Sequence, residues 1–247
     1  MSTPLAIVGC GKMGRLVEQL APEYSFDVRA KFSRGNIASL SRGSLNGAAV
    51  AIEFSGPAAA IENLPKLAAL GINTVCGTTG WYENLPKISQ AIREAGTALV
   101  FGANFAVGVN LFFEVVARAA ALFAQHPEYE AWGWEIHHSA KKDSPSGTLK
   151  KLAEEIRAAG FTRSLTLSSN RAGAHTGTHE IGFDSAGDTI TLRHTARSRE
   201  GYARGALQAA QWIAGKKGVF EFPEILRELR LPSTAAARQG AEWARTQ

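Results

Sequence analysis

Short apolar runs alternate with longer mixed stretches from residue 5 to about 105, the rhythm of repeated β-α-β units. Residues 5–8, 28–32, 50–54, 72–76 and 98–101 are mostly apolar and read as strands of a parallel sheet covered on both faces. Between them, stretches 13–20, 58–70 and 85–95 end before Pro22, at Gly71 and at Gly96, and proline and glycine there are helix stop signals. The first hundred residues thus predict a doubly wound α/β sheet.

After Gly108 the rhythm changes. A helix over 109–123 leads into a strand over 132–138, a polar loop, a helix over 148–159 and short strands over 165–167, 178–183 and 189–194. That order predicts a smaller α+β domain built on an antiparallel or mixed sheet. Residues 202–214 read as a helix, and 220–229 as a segment that packs back on the first domain. The division expected is 1–105 with 201–247, and 106–200.

Composition narrows the class. Of 247 residues, 45% are apolar and 20% charged, which suits a globular fold and excludes a disordered or low-complexity chain. No apolar run approaches the ~18 residues of a membrane span, and the start lacks a basic signal-peptide region; a soluble, cytoplasmic protein with no membrane partner is expected. Cys10 and Cys76 are too few for a disulfide framework and are expected as reduced thiols. The net charge is +5, but the basic residues are spread without a block and no nucleic-acid signature accompanies them. Anionic small molecules suit that mild excess, and no nucleic-acid partner is expected.

Chemistry concentrates in four places. Gly9-Cys10-Gly11-Lys12-Met13-Gly14 ends the first strand and opens the first helix with G-x-G-x-x-G spacing, the pattern that lets backbone approach a pyrophosphate at a helix N-terminus. At the end of the second strand, where an acidic residue normally accepts ribose hydroxyls, the chain reads Lys31-Phe32-Ser33-Arg34. Ser33, Arg34 and Lys31 suit a 2′-phosphate instead, so NADPH is the preferred cofactor, with NADH possible. The turns Gly77-Thr78-Thr79 and Gly102-Ala103-Asn104-Phe105 follow strands four and five and fall on the carboxyl edge, where a nicotinamide would sit.

The fourth place is the run from Glu135 through His137, His138, Lys141, Asp143, Pro145, Ser146 and Gly147 to Thr148. A histidine exchanges protons near neutrality, a lysine neutralises a carboxylate, and a helix opened by Ser146-Gly147-Thr148 offers hydroxyls and N–H groups to an anion. Arg199 is a further candidate anion partner. Five of six histidines fall between His137 and His194, yet their spacing fits no metal-binding pattern, and no metal is expected.

These motifs, together with Glu53-Phe54-Ser55 before Pro57 and Gly108-Val109-Asn110, resemble the 4-hydroxy-tetrahydrodipicolinate reductase (dihydrodipicolinate reductase) family of bacterial lysine biosynthesis over nearly the whole chain. The resemblance implies an N-terminal Rossmann domain, a C-terminal substrate-binding domain whose sheet builds a homotetramer, and a chain end that returns to the first domain. It implies His137 as proton donor/acceptor, Lys141 as second donor and carboxylate partner, and His138, Ser146, Gly147, Thr148 and Arg199 around a cyclic dicarboxylate. It also implies cofactor contacts from Gly9 to Gly14, Gly77 to Thr79 and Gly102 to Phe105. Ser33 replaces the family's usual acidic residue, the glycine loop is one residue shorter than the commoner form, and the segment 160–179 is shorter than in many relatives. Two other readings stay open: another dehydrogenase of amino or hydroxy acids, and a non-catalytic dinucleotide sensor.

Overall fold

The computed structural model describes residues 2–229. Residues 230–247, assigned above to the dinucleotide-binding domain, lie outside the described residues. The chain divides into two compact units, one running to Phe105 and resuming at Tyr202, the other spanning Ala106–Gly201.

The first unit is a six-stranded, all-parallel sheet. Its strands are β1 (Thr3–Val8), β2 (Phe26–Phe32), β3 (Val50–Glu53), β4 (Asn73–Cys76), β5 (Ala98–Phe101) and β10 (Gly218–Glu221), in spatial order β10-β5-β4-β3-β1-β2. Helices α1 (Lys12–Leu20), α2 (Pro57–Ala69) and α3 (Leu85–Glu94) alternate with the strands, and α6 (Glu200–Trp212) and α7 (Phe222–Leu229) follow the return of the chain. Every residue from Leu5 to Val8 is buried, as is every residue of β3 and β5, so these strands carry no polar face. Strand order reverses between β2 and β3 on either side of β1, which opens a ligand crevice at the carboxyl end of β1.

The sixth strand is absent from the sequence reading. Gly218–Glu221 is a half-exposed edge strand of four residues that opens on a glycine with φ +117° and runs directly into α7, so it lacks the apolar run that identifies a central strand. It is paired with β5 from Ala98 to Phe101.

The second unit is a mixed four-stranded sheet, β7-β6-β8-β9, made of β6 (Glu130–His137), β7 (Leu165–Arg171), β8 (Thr178–Asp184) and β9 (Thr189–Thr195). β6 and β7 are parallel; β6 with β8 and β8 with β9 are antiparallel. Helices α4 (Val107–Phe123) and α5 (Gly147–Ala158) cover one face, joining Phe112, Val116, Leu149, Leu152 and Ile156 to Ile181 and Phe183 in one core. Phe123 stacks on Phe183 at 4.4 Å between centroids. β7 runs four residues beyond the expected 165–167, because Ser168 to Arg171 continue the alternation with polar side chains on both faces. The reason for polar residues on its covered face lies in the site itself.

Candidate active site

In the first unit all the expected cofactor residues lie at the carboxyl edge of the parallel sheet, and the three loop glycines do different work. Gly9 holds φ +99°, and a Cβ there would stand 2.2 Å from the Phe54 carbonyl oxygen. At Gly14 a Cβ would stand 2.0 Å from the Gly9 oxygen, so its bare backbone lets α1 seat against the turn. Gly11, the residue before α1, has nothing within 4 Å of an added Cβ and no side-chain cap. The helix end is therefore open on the side of Gly11, with N–H groups unpaired within the helix, and such a cradle fits a pyrophosphate. Lys12 is exposed and Met13 half-buried beside it, while the Cys10 thiol donates to the Phe32 carbonyl at 3.4 Å.

Beyond β2, Ser33 and Arg34 are exposed; the Ser33 amide and hydroxyl both reach Asn36 Oδ1, at 2.6 and 3.2 Å. Lys31, on the strand before them, pairs with Glu18 at 2.7 Å, with both side chains about half exposed. On the other side of β1, Gly77 packs on the Phe54 ring, where a Cβ would come within 2.0 Å. Thr78 is buried, its carbonyl accepting from the Trp81 indole at 2.8 Å, and Thr79 is exposed. Ala103 is exposed, Asn104 half-buried and Gly102 buried beside Phe222. Phe105 is 2% exposed, its ring against Phe54 and Phe222. The side chain shapes the turn from within the core, and its backbone lies in the same turn as Asn104.

In the second unit the pairing register builds the site. Ser169, Glu135, His179 and His194 are successive partners across β7, β6, β8 and β9 and stand on the helix-covered face. In the next row His137 pairs with Arg171. Glu135, fully buried, is the hub. Its Oε1 accepts from the Ser146 amide, the Ser169 hydroxyl and Arg171 Nη2, each at 2.9 Å. Arg171 also donates to the Asp143 carbonyl. One carboxylate thus gathers the end of β6, the loop after it and the start of α5.

Ser146 caps α5 by accepting from the Leu149 amide at 3.2 Å and lies 3.1 Å from His179 Nε2. At 2% exposure its hydroxyl is held by these two internal contacts. Gly147 and Thr148, the first helical residues, keep N–H groups that no α-helical bond uses. Lys141 Nζ meets Asp143 at 2.7 Å and holds that carboxyl below its ordinary range. His138 is half-buried past the strand's end. Arg199 is exposed in the bend before α6, and among the described residues no hydrogen bond or ion pair joins it to this cluster.

Burial pushes the Glu135 carboxyl up, but the hydrogen bonds from Ser146, Arg171 and Ser169 outweigh it and hold it at about 2. Burial, then the neighbouring His137, push His179 down to about 4 against the pull of Glu135. Burial likewise lowers His137, opposed by Glu135. Near pH 7 the cluster therefore pairs a carboxylate with neutral imidazoles. Both groups contribute stability that is complete above their unfolded-state values. That of His179 is lost as pH falls from 6.5 towards 4, and that of Glu135 as pH falls from 4.5 towards 2. Thermal melts followed by near-UV circular dichroism are expected to show the midpoint dropping below pH 6, and Ser169→Ala, which removes one donor, to weaken the loss below pH 4.5.

Glu135, His137 and His179 also place one donor atom each within 4.8 Å of one another. The Arg171 guanidinium on the same carboxylate supplies the countercharge that a cation would otherwise bring, so the set is an ion-pair and hydrogen-bond centre. Sequence reasoning gave no role to Glu135, Ser169 or Arg171. A signal for the first was present: Ala131, Gly133, Glu135 and His137 alternate along one strand, and a carboxylate at a covered position needs partners.

Residues 3–105 match the family model of the dihydrodipicolinate reductase N-terminus, and residues 108–226 that of its C-terminus. The 4-hydroxy-tetrahydrodipicolinate reductase of Christiangramia forsetii is 32% identical over 238 residues, covering 91% of this chain and 98% of its own. That of Methanosarcina mazei is 32% identical over 260 residues, covering 90% and 98%. Among solved structures, a dipicolinate-bound dihydrodipicolinate reductase from Paenisporosarcina sp. TG-14 superposes with a TM-score of 0.76 at 22% identity, covering 90% of this chain and 98% of its own. With both halves of the chain matched in order, the protein belongs to the dihydrodipicolinate reductase family, oxidoreductases of the diaminopimelate route to lysine.

Proposed function

We propose that the protein reduces 4-hydroxy-tetrahydrodipicolinate to tetrahydrodipicolinate with NADPH preferred over NADH. The observation that carries the reading is the gathering of His137 and the α5 N-terminus at the buried Glu135 carboxylate, with Lys141 held beside them by Asp143, whose carbonyl accepts from Arg171. A cyclic dicarboxylate needs cations and N–H donors for its two anionic groups and a proton source beside its ring. Lys141 and the Gly147 and Thr148 amides meet the first need, with His138 beside them, and His137 and Lys141 meet the second.

The dinucleotide, when bound, supplies the hydride. Gly9 to Gly14 hold its pyrophosphate at the start of α1, Ser33 and Arg34 take the 2′-phosphate, and Gly77 to Thr79 with Gly102 to Asn104 line the nicotinamide side of the crevice. The substrate takes up the hydride and one proton, given by His137 or Lys141, and loses its hydroxyl as water. Lys141 exchanges its Asp143 partner for a substrate carboxylate on binding. The uncovered face of the mixed sheet carries Trp132, Trp134 and Ile136 half-buried, with Glu180 paired to Arg193. These three apolar side chains, central in a face whose other positions are mostly polar, support assembly into a homotetramer through the sheet. Two free thiols, Cys10 and Cys76, suit the reducing cytoplasm.

Oxidation of NADPH and NADH at 340 nm, with substrate generated in place by dihydrodipicolinate synthase, tests the reading. NADPH is expected to give the higher kcat/KM. In Ser33→Asp, a carboxylate set against the 2′-phosphate is expected to lower the NADPH-to-NADH ratio about 10- to 100-fold. Equal use of both cofactors by the unaltered protein would discard the NADPH preference and keep the reductase.

A further inference from the structure

The covered face of the mixed sheet is apolar in its lower rows, where Gly133, Leu167, Ile181 and Leu192 are partners, and polar in the rows of Glu135 and His137. Charge on a covered face is costly unless it is paired, and Arg171 pairs it. Yet that ion pair uses only one oxygen. All three short hydrogen bonds to Glu135 end on Oε1, while Oε2 has no hydrogen-bond partner among the described residues. Oε2 faces two imidazoles, with His179 Nε2 at 3.3 Å and His137 Nδ1 at 3.6 Å. His137 Nδ1 is itself buried and has no hydrogen-bond partner among the described residues. The two rings stand 5.0 Å apart and inclined by 70°. On its other side the His137 ring adjoins Gly177, where a Cβ would stand 3.0 Å from Nε2.

Of the two nitrogens that Oε2 faces, His179 Nε2 already lies 3.1 Å from the Ser146 hydroxyl, which leaves His137 Nδ1 as the one still to be paired. The inference rests on the reading of His137 as the proton-exchanging residue and adds what controls it. We propose that Glu135 is the positioning residue of His137: its Oε2 accepts from Nδ1–H, fixes that tautomer, and leaves Nε2 as the nitrogen that exchanges the proton with substrate. A carboxylate on Nδ1 also stabilises the imidazolium that forms when the neutral ring takes up a proton at Nε2, the proton it then gives to substrate. The ion pair with Arg171 and the two serine contacts keep the carboxylate charged and still, so that Oε2 does not rotate away. The separation of 3.6 Å is longer than a hydrogen bond and closes by a small rotation of the ring, as catalytic contacts do when substrate arrives.

The charges that face His137 are Glu135 from its own strand, Arg171 from β7, His179 from β8, and Lys141 and Asp143 from the loop. Three of these, Arg171, Lys141 and His179 when charged, oppose protonation. Glu135 is therefore the main group that favours it, with Asp143 second. Removing its charge leaves the opposing groups in command, and the basic limb of kcat/KM moves to lower pH.

The experiment is side-chain 15N spectroscopy of the full chain, free of cofactor and substrate, with the pH profile of kcat/KM measured on the same preparations. In the unaltered protein neutral His137 is expected as the Nδ1–H tautomer. In Glu135→Gln the amide donates to Nδ1, so His137 is expected to switch to Nε2–H, and its midpoint to fall by about one pH unit or more. The basic limb moves with it, which costs about tenfold in kcat/KM at pH 8, while Glu135→Asp recovers part of the shift. An Nε2–H tautomer in the unaltered protein overturns the proposal without any variant, should Glu135→Gln fail to fold. An unchanged midpoint in folded Glu135→Gln overturns it too. Failure of the parent reading looks different: His137→Gln would then retain full turnover, whatever the spectra of the Glu135 variants.

Discussion

Replacing His137 by Gln is expected to lower kcat by about 10²- to 10⁴-fold, the range set by loss of a positioned general acid. Gln keeps the polarity and approximate size of the ring and cannot deliver a proton, so the loss falls on the chemical step. Dinucleotide affinity is expected to stay within about twofold, because the cradle at Gly9 to Gly14 is built wholly from the first unit. Lys141→Ala is expected to differ from it in one respect. The ammonium both pairs with a carboxylate and stands ready to donate, so kcat falls and the substrate KM rises together. Steady-state kinetics with saturating NADPH separate the two. A Lys141→Ala enzyme with unchanged constants would move the role to its exposed neighbour, Lys142.

The second large effect is expected at Gly14. A Cβ there would stand 2.0 Å from the Gly9 carbonyl oxygen and 3.2 Å from the Ile7 side chain. Backbone cannot yield as a side chain does, so in Gly14→Ala the start of α1 must lift from the turn. A cost of about 1–3 kcal/mol is expected from such overpacking, read as a lower thermal midpoint. Dinucleotide affinity is expected to fall about 100-fold or more, since the N–H groups that meet the pyrophosphate move with the helix. Gly11→Ala is the informative partner. Its added methyl meets nothing within 4 Å, so the thermal midpoint is expected to hold while affinity falls, because the methyl occupies the space a phosphate needs. Titration calorimetry with NADPH distinguishes the two variants; equal loss of stability in both would mean that the open side of Gly11 is not the binding side.

Much of this organisation is legible in the chain because the signals are local. Four of the six parallel strands, β1, β3, β4 and β5, carry largely buried runs, whereas β2 alternates apolar with charged residues, and the helix ends carry proline or glycine. The nucleotide loop is written in consecutive residues, because pyrophosphate is held by one turn of backbone and needs only glycine spacing to be seen. The limits are equally physical. β10 is short, half-exposed and flanked by glycine, so it becomes a strand only by hydrogen bonding to β5. The polar end of β7 reads as loop until Ser169 and Arg171 are seen to serve a carboxylate on the neighbouring strand.

The same division holds at the site. From His137 to Thr148 the residues are contiguous, so their chemistry is visible in sequence. Which of them faces substrate is a different matter. Ser146 and Thr148 look equivalent in the chain, and folding commits one hydroxyl to a cap and to His179 while the other stays half-buried. Glu135, Ser169, Arg171 and His179 lie up to 44 positions apart, and only strand register sets them in adjacent rows. By itself the sequence determined the fold class, the glycine loop and the candidate acid-base groups, because periodicity and motif spacing act over one turn or one strand. Tertiary structure alone decided the electrostatics of those groups, because burial, the choice of one carboxylate oxygen and the approach of a second imidazole depend on strands that the chain brings together only when folded.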